Sequence, residues 1–250
     1  MDKFDFNGKK VLVTGASSGV GREVAILFSR MGAKVVIIAR REDELKNTLA
    51  LMYGNNHSYR VLDLSDFDRI IEILKDIVSK DGEKFDYIAH CAGLAIPIPL
   101  RSMSFVNISQ IFSINTYSFM ALLKCVAQKR IFNDGGAVVG ISSCVGVYGQ
   151  SANAVYGASK GAMDAFVKSA AKELRPRKIR VNTICPCGIK TEMLANQTVK
   201  DIEGKKIDEL PDYLMLPDKV ASIVVALLSD SMQYISGVAL DVDEAKTWED

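Results

Sequence analysis

Tyr156 and Lys160 stand four residues apart in the segment Tyr156-Gly157-Ala158-Ser159-Lys160, and Ser143 lies thirteen residues before the tyrosine. Residues four apart on a helix share one face, about one turn from each other. An ammonium so placed can hold a phenol's proton near the point of release. A hydroxyl arriving from a neighbouring strand can steady a carbonyl or alcohol oxygen beside them. The three together make a proton-transfer site that needs no metal. Near the start of the chain, Thr14-Gly15-Ala16-Ser17-Ser18-Gly19-Val20-Gly21 is a glycine-rich turn suited to a dinucleotide. A hydride carrier beside a proton carrier implies reversible interconversion of a small-molecule carbonyl and its alcohol.

The elements that must hold these residues follow from hydrophobic patterning. Short apolar runs predict strands at 10–14, 34–39, 58–62, 85–89, 137–142, 178–184 and 238–242. Helical spacing predicts helices at 19–31, 42–52, 66–79, 105–129, 154–174 and 218–228. Almost wholly apolar strands alternating with helices imply a parallel sheet covered on both faces. The expected fold is therefore α/β: one domain over residues 1–250, a doubly wound, Rossmann-like, seven-stranded parallel sheet. In such a sheet a ligand lies beyond the carboxyl ends of the strands. The loops after Thr14, Ala39, Leu62, Ala89, Ser142 and Ile184 should meet there.

Composition excludes several other functions. The 250 residues are 48% hydrophobic, and 31 basic against 30 acidic residues leave a net charge of +1. Without a basic block, a nucleic-acid or anionic-membrane surface is not expected. The N-terminus does not read as a signal peptide, and no apolar run is long enough to span a bilayer. Five cysteines, an odd number, fit a reducing cytoplasm better than a disulfide framework.

At the cofactor end, Gly15 permits a tight turn, and Gly19 and Gly21 let the backbone approach a pyrophosphate. Ser17, Ser18 and Val20 belong to the same turn. The spacing departs from G-x-G-x-x-G, and a lone glycine turn is weak evidence. At the end of the second predicted strand no carboxylate precedes Glu42; Arg40 and Arg41 stand there instead. An arginine at this point can pair with a ribose 2′-phosphate, which favours NADP(H) over NAD(H). The plainer alternative is a solvated arginine at a strand end. Asp63, followed by Leu64, sits where a carboxylate could accept from an adenine amino group; its alternative is a cap for the next helix.

These residues resemble the short-chain dehydrogenase/reductase superfamily in its classical branch, over essentially the whole chain. The cofactor turn, Asp63, Ala92-Gly93, Asn115, the Ser143–Tyr156–Lys160 set, Arg180-Val181-Asn182, Pro186, Thr191 and Ile235-Ser236-Gly237 carry the likeness. Three departures stand out: Cys91 replaces the asparagine of the family's Asn-Ala-Gly, Cys187 with Gly188 replaces its Pro-Gly, and Asp243-Glu244-Ala245 replaces its late glycine pair.

The resemblance implies Tyr156 as acid/base, with its pKa lowered by Lys160 and by the positive nicotinamide ring of the oxidised cofactor, and Ser143 as hydrogen-bond donor to the substrate oxygen. It gives Lys160 the cofactor's ribose hydroxyls, and Asn115 a water joining Lys160 to solvent. Cys91, Ala92, Gly93, Pro186, Gly188, Ile189 and Thr191 are the further cofactor contacts expected. Cys91, Cys144 and Cys187 flank three turns at one sheet edge, where each reads as a small buried side chain or as a target whose alkylation inhibits. Substrate should lie among 94–100, 145–150 and a closing loop at about 189–216, whose apolar residues include Met193, Leu194, Tyr213, Leu214 and Met215. These favour a 3-oxoacyl or other hydrophobic ketone, while Tyr148 and Gln150 leave a sugar or polyol open. A non-catalytic NADP(H) sensor is the rival from another class. Phe112, Phe119, Met163, Phe166 and Val167 are expected at a homodimer or homotetramer contact.

Overall fold

The computed structural model describes residues 4–195 and 214–243. Tyr213, Glu244, Ala245 and most of the expected closing loop lie outside the described residues. Seven parallel strands run β1 (Lys10–Thr14), β2 (Lys34–Ala39), β3 (Ser58–Val61), β4 (Phe85–His90), β5 (Phe132–Ile141), β6 (Arg180–Pro186) and β7 (Ala239–Val242). Their order in the sheet is β3-β2-β1-β4-β5-β6-β7. The order reverses beside β1, between β1 and β4, so the crevice for a ligand opens beyond Thr14 and His90.

The helices are α1 (Gly19–Arg30), α2 (Glu42–Leu51), α3 (Phe67–Asp81), α4 (Phe105–Phe112), α5 (Ser118–Val126), α6 (Val145–Tyr148), α7 (Ala154–Leu174) and α8 (Pro217–Leu228). Alternating strand residues feed two cores. Leu12, Val36 and Ile38 pack with Leu74, Leu122, Met163 and Val167, under α3, α5 and α7. Val11, Val13, Val35 and Ile37 pack with Val24, Phe28, Leu45 and Val224, under α1, α2 and α8. Burying one such side chain contributes about 1.5–3 kcal/mol, so the two apolar layers dominate the stability of the fold. Among the described residues no helix is long and apolar enough to cross a membrane.

Four expectations are corrected. The helix expected over 105–129 is broken by a π turn at Ser113–Tyr117. Inside that turn Asn115 Oδ1 accepts from Leu94 N at 2.7 Å, and Ser118 Oγ donates back to the Ile114 carbonyl at 2.5 Å. A widened turn of this kind commonly marks a functional position. Strand β5 begins at Phe132 because the chain pairs with Phe85 before a register shift absorbs Gly135 and Gly136. Strand β6 starts at Arg180, since a 3₁₀ turn at Arg175–Arg177 and a left-handed Lys178 occupy the preceding residues. Finally, Phe119, Met163 and Val167 are fully buried in their own core, so they are not subunit contacts. The exposed apolar side chains of that region include instead Leu100, Met103, Phe105 and Val106.

Candidate active site

The turn between β1 and α1 wraps the end of the sheet tightly. Gly15 takes φ +68°, and a Cβ there would lie 2.6 Å from Ala92 N, so only glycine fits. Cys91 N donates to the Thr14 carbonyl, pinning the end of β4 to the end of β1. Ser18 caps α1 without a side-chain bond, which leaves the first-turn amides facing the crevice. Thr191 Cγ2 would stand 3.3 Å from a Cβ on Gly19, so the segment after β6 reaches back over the turn.

The departure at Cys91 has a physical answer one residue earlier. His90 is wholly buried, with Nδ1 2.8 Å from Thr14 Oγ1 and Nε2 3.1 Å from Ser118 Oγ. Ser118 gives its one proton to Ile114, so it accepts from Nε2–H, and Nδ1 accepts from Thr14. His90 thereby braces the glycine turn against the π turn. Burial, helped by the charge of Lys160, holds its pKa down to about 3, so it stays neutral.

Ser143, Tyr156 and Lys160 come together beside this turn. Strand β5 delivers Ser143, and α7 carries the other two. Gly146 and Gly157 let α6 and α7 approach closely: a Cβ on Gly157 would lie 2.8 Å from the Val145 carbonyl. This packing sets the Ser143 loop against the tyrosine. The Tyr156 hydroxyl hydrogen-bonds Ser143; burial pushes the phenol's pKa up, and that bond pulls it down. Burial outweighs the Ser143 bond, so the net shift is upward. Lys160 Nζ donates to the Ile141 carbonyl at 2.6 Å, and burial pushes its pKa down to about 8 against the opposing charge of Asp164.

Ser142, the neighbour passed over, donates to Asp164 Oδ2 at 2.9 Å and is tied into the sheet. Asp164 also accepts from Thr183 Oγ1 at 2.7 Å. It lies one turn beyond Lys160 on the same helix face, a spacing readable in the sequence but missed. Asn115 Nδ2 donates to the Leu94 carbonyl and to Ser159 Oγ, so its side chain is spent on fixing the Leu94 loop to α7.

A cavity of about 560 Å³ joins the glycine turn to Ser143 and Tyr156, a size suited to a small-molecule ligand. Arg40, Arg41, Asp63 and Leu64 line one end, and Cys91, Ala92, Gly93, Pro186, Gly188, Ile189 and Thr191 the other. Arg41 Nη2 donates to Ser18 Oγ at 2.9 Å, and its other nitrogen faces Glu192 at 3.5 Å. Arg40 is exposed and has no ion-pair partner among the described residues. Asp63 Oδ1 accepts from Ser65 N, while the cap of α3 is Asp66, so the capping alternative for Asp63 is set aside. Gly188 takes φ +43° where the family pattern places its glycine one residue earlier. Arg180 and Asn182 are not at this edge. Arg180 donates to the carbonyls of Leu227, Leu228 and Ser229, and Asn182 bonds Ile235 and Val238, so both serve the opposite end of the sheet.

The cysteine expectation also changes. Cys144 and Cys187 are joined as a disulfide, with α-carbons 5.2 Å apart, while Cys91, Cys125 and Cys185 are free. Of the three cysteines expected as thiols at this edge, only Cys91 is one. Burial pushes its pKa up to about 12, which makes it a poor nucleophile. Sequence reading also missed Asn153, a residue of the cavity wall whose Oδ1 is buried without a hydrogen-bond partner among the described residues.

Comparison with known proteins agrees with this geometry. The family model described as Enoyl-(Acyl carrier protein) reductase matches residues 15–244. The 3-oxoacyl-[acyl-carrier-protein] reductase FabG of Thermotoga maritima is 31% identical over 240 residues, covering 94% of this chain and 96% of the relative. Its namesake from Rickettsia conorii is 32% identical over 241 residues, covering 96% and 97%. Versicolorin reductase 1 of Dothistroma septosporum is 27% identical over 258 residues, covering 97% of each. A solved short-chain dehydrogenase/reductase from Serratia marcescens superposes with a TM-score of 0.84 at 24% identity, covering 95% of this chain and 97% of that one, a likeness of fold. With its seven-stranded sheet, its cofactor-type turn and these relatives, the chain belongs to the short-chain dehydrogenase/reductase superfamily of oxidoreductases.

Proposed function

We propose that this chain is an NADP(H)-preferring reductase that interconverts a ketone and a secondary alcohol, with 3-oxoacyl thioesters as its substrate class. The observation that carries the reading is the meeting of Ser143, Tyr156 and Lys160 in one cavity with the glycine turn. The names of the two bacterial relatives support the substrate class.

The residues present fit a dinucleotide. Gly15 and Gly21 leave no room for side chains, and the α1 amides have no side-chain cap, so a pyrophosphate can approach the backbone. Arg40 would hold a 2′-phosphate through its planar fork, and Asp63 would face the adenine. When bound, the nicotinamide cofactor supplies hydride to the carbonyl carbon. Tyr156 then gives its proton to the carbonyl oxygen as negative charge develops there. With substrate bound, Ser143 turns its one proton from the Tyr156 oxygen to the same substrate oxygen and stabilises that charge. Lys160, fixed by the Ile141 carbonyl, provides positive charge beside the phenolate left behind and a route for its reprotonation.

A polar substrate is the second reading. Gln150, a polar side chain of the cavity lining, favours a substrate bearing hydroxyls, as a polyol would. The test is turnover of acyl thioesters, hydrophobic ketones and keto sugars with each cofactor, followed by nicotinamide absorbance. The proposal expects 3-oxoacyl thioesters to lead the panel, with NADPH preferred. Binding without turnover of any carbonyl would favour the sensor instead.

A further inference from the structure

A second groove lies at the far end of α7, away from the reacting centre. Its volume is about 960 Å³, at the upper end of what small-molecule sites span. Lys168 and Lys172 line it from α7, Arg175 from the 3₁₀ turn that closes the helix, and Lys178 from the residue just after that turn. Spacings of four and three on a helical backbone put the first three on one face. All four side chains are exposed, and none has an ion-pair partner among the described residues. Their neighbour Arg177 is treated differently. It pairs with Asp134 at 2.6 Å and donates to the Val126 and Phe132 carbonyls. The chain thus neutralises one cation of this segment and leaves four open to the groove.

The plain explanation is the dipole of α7, which favours cations near a helix C-terminus. It does not reach Lys178, beyond the helix, and like charges three and four apart repel one another. Nothing in the wall offsets that repulsion. Its one carboxylate, Asp230, accepts from the Tyr87 hydroxyl at 3.2 Å. Tyr234 lines the same groove and is 93% exposed, with no ring neighbour among the described residues. A free aromatic face beside four open cations matches a ligand with a flat ring at one end and several negative charges at the other.

We propose that this groove binds a nucleoside polyphosphate, its phosphates on Lys168, Lys172, Arg175 and Lys178 and its base against Tyr234. Inorganic phosphate would use the cations and leave the ring idle, and an acidic peptide has no flat base to stack. The groove is separate from the dinucleotide crevice. It opens beside Arg180, where β6 begins, while the crevice lies beyond Pro186, where β6 ends, about 20 Å along the strand. The proposal is therefore independent of the reductase reading.

The full-length chain is titrated with ATP while amide exchange is followed peptide by peptide, with inorganic triphosphate and a polyglutamate peptide as comparison probes. The proposal expects ATP to slow exchange saturably over 168–180 and 231–237. Triphosphate should need about fivefold more or greater concentration for half the effect, the worth of one stacked base. Tyr234→Ala should erase that difference. Lys172→Gln should weaken ATP and triphosphate alike by severalfold and leave Tm unchanged, since the side chain is exposed. No protection over 168–180, or protection confined to the glycine turn at 15–21, overturns the proposal. So does equal potency of triphosphate and ATP in the parent protein, or polyglutamate binding as tightly as ATP. Failure of NADPH to bind the glycine turn would sink the reductase reading alone and leave this groove to be decided by ATP.

Discussion

The Lys160 ammonium stands 5.8 Å from the centre of the Tyr156 ring, while its 2.6 Å hydrogen bond goes to the Ile141 carbonyl at the end of β5. The lysine is thus tied to the sheet rather than to the phenol. Gly93 lies close by, since a Cβ there would stand 3.4 Å from Nζ, and both residues line the cavity. A fixed positive charge near a phenol, with open volume beside it, is what a proton donor of this kind requires.

The charge on Lys160 gives a pH signature. Burial pushes its pKa down to about 8, and Asp164 opposes that shift. If reduction needs the ammonium, kcat falls as pH rises through about 8. Asp164→Asn removes the opposing charge, so the limb should move to lower pH, by about one unit. A pH profile of kcat for both proteins checks this. An unmoved limb would reduce Asp164 to a purely structural group.

His90 predicts acid sensitivity. Its folded pKa of about 3 lies below the unfolded value, so the unfolded state binds the extra proton first. Stability from the neutral imidazole is complete above the ordinary histidine pKa and is lost as pH falls towards 3, at about 1.4 kcal/mol per unit at most. Urea midpoints measured between neutral and mildly acidic pH should drop less steeply in His90→Gln than in the parent. Parallel slopes would show that carboxylates alone carry the acid effect.

The proposed preference for NADP(H) rests on Arg40. Removing one charge-assisted contact to a 2′-phosphate costs on the order of 1.5–3 kcal/mol, about tenfold or more in affinity. Arg40→Ala should therefore raise the NADPH Kd by that factor and leave NADH nearly unchanged. Equal losses for both cofactors, read by fluorescence titration, would move the recognition to Arg41 or elsewhere.

Much of this was legible from residue pattern. The parallel sheet followed from runs such as Lys34–Ala39 that are apolar on both faces, and the cavity edge from where those runs end. Chemistry concentrated in short spacings, Tyr156 to Lys160 above all, was legible for the same reason. What escaped depended on distant partners. Helix α5 looked continuous with α4 because the π turn is set by Leu94, some twenty residues away in sequence, bonding to Asn115. Phe119 and Val167 read as surplus apolar residues until the sheet closed over them. The Cys144–Cys187 pair depends on two loops meeting, which no local pattern reports, and composition alone pointed the other way.

The central claim is that the Tyr156 hydroxyl carries the proton in carbonyl reduction. Tyr156→Phe removes one oxygen and keeps the ring, so NADPH affinity should be retained. Single-turnover reduction of a 3-oxoacyl thioester should slow by about a hundredfold or more. Near-parental turnover in that variant would contradict the account.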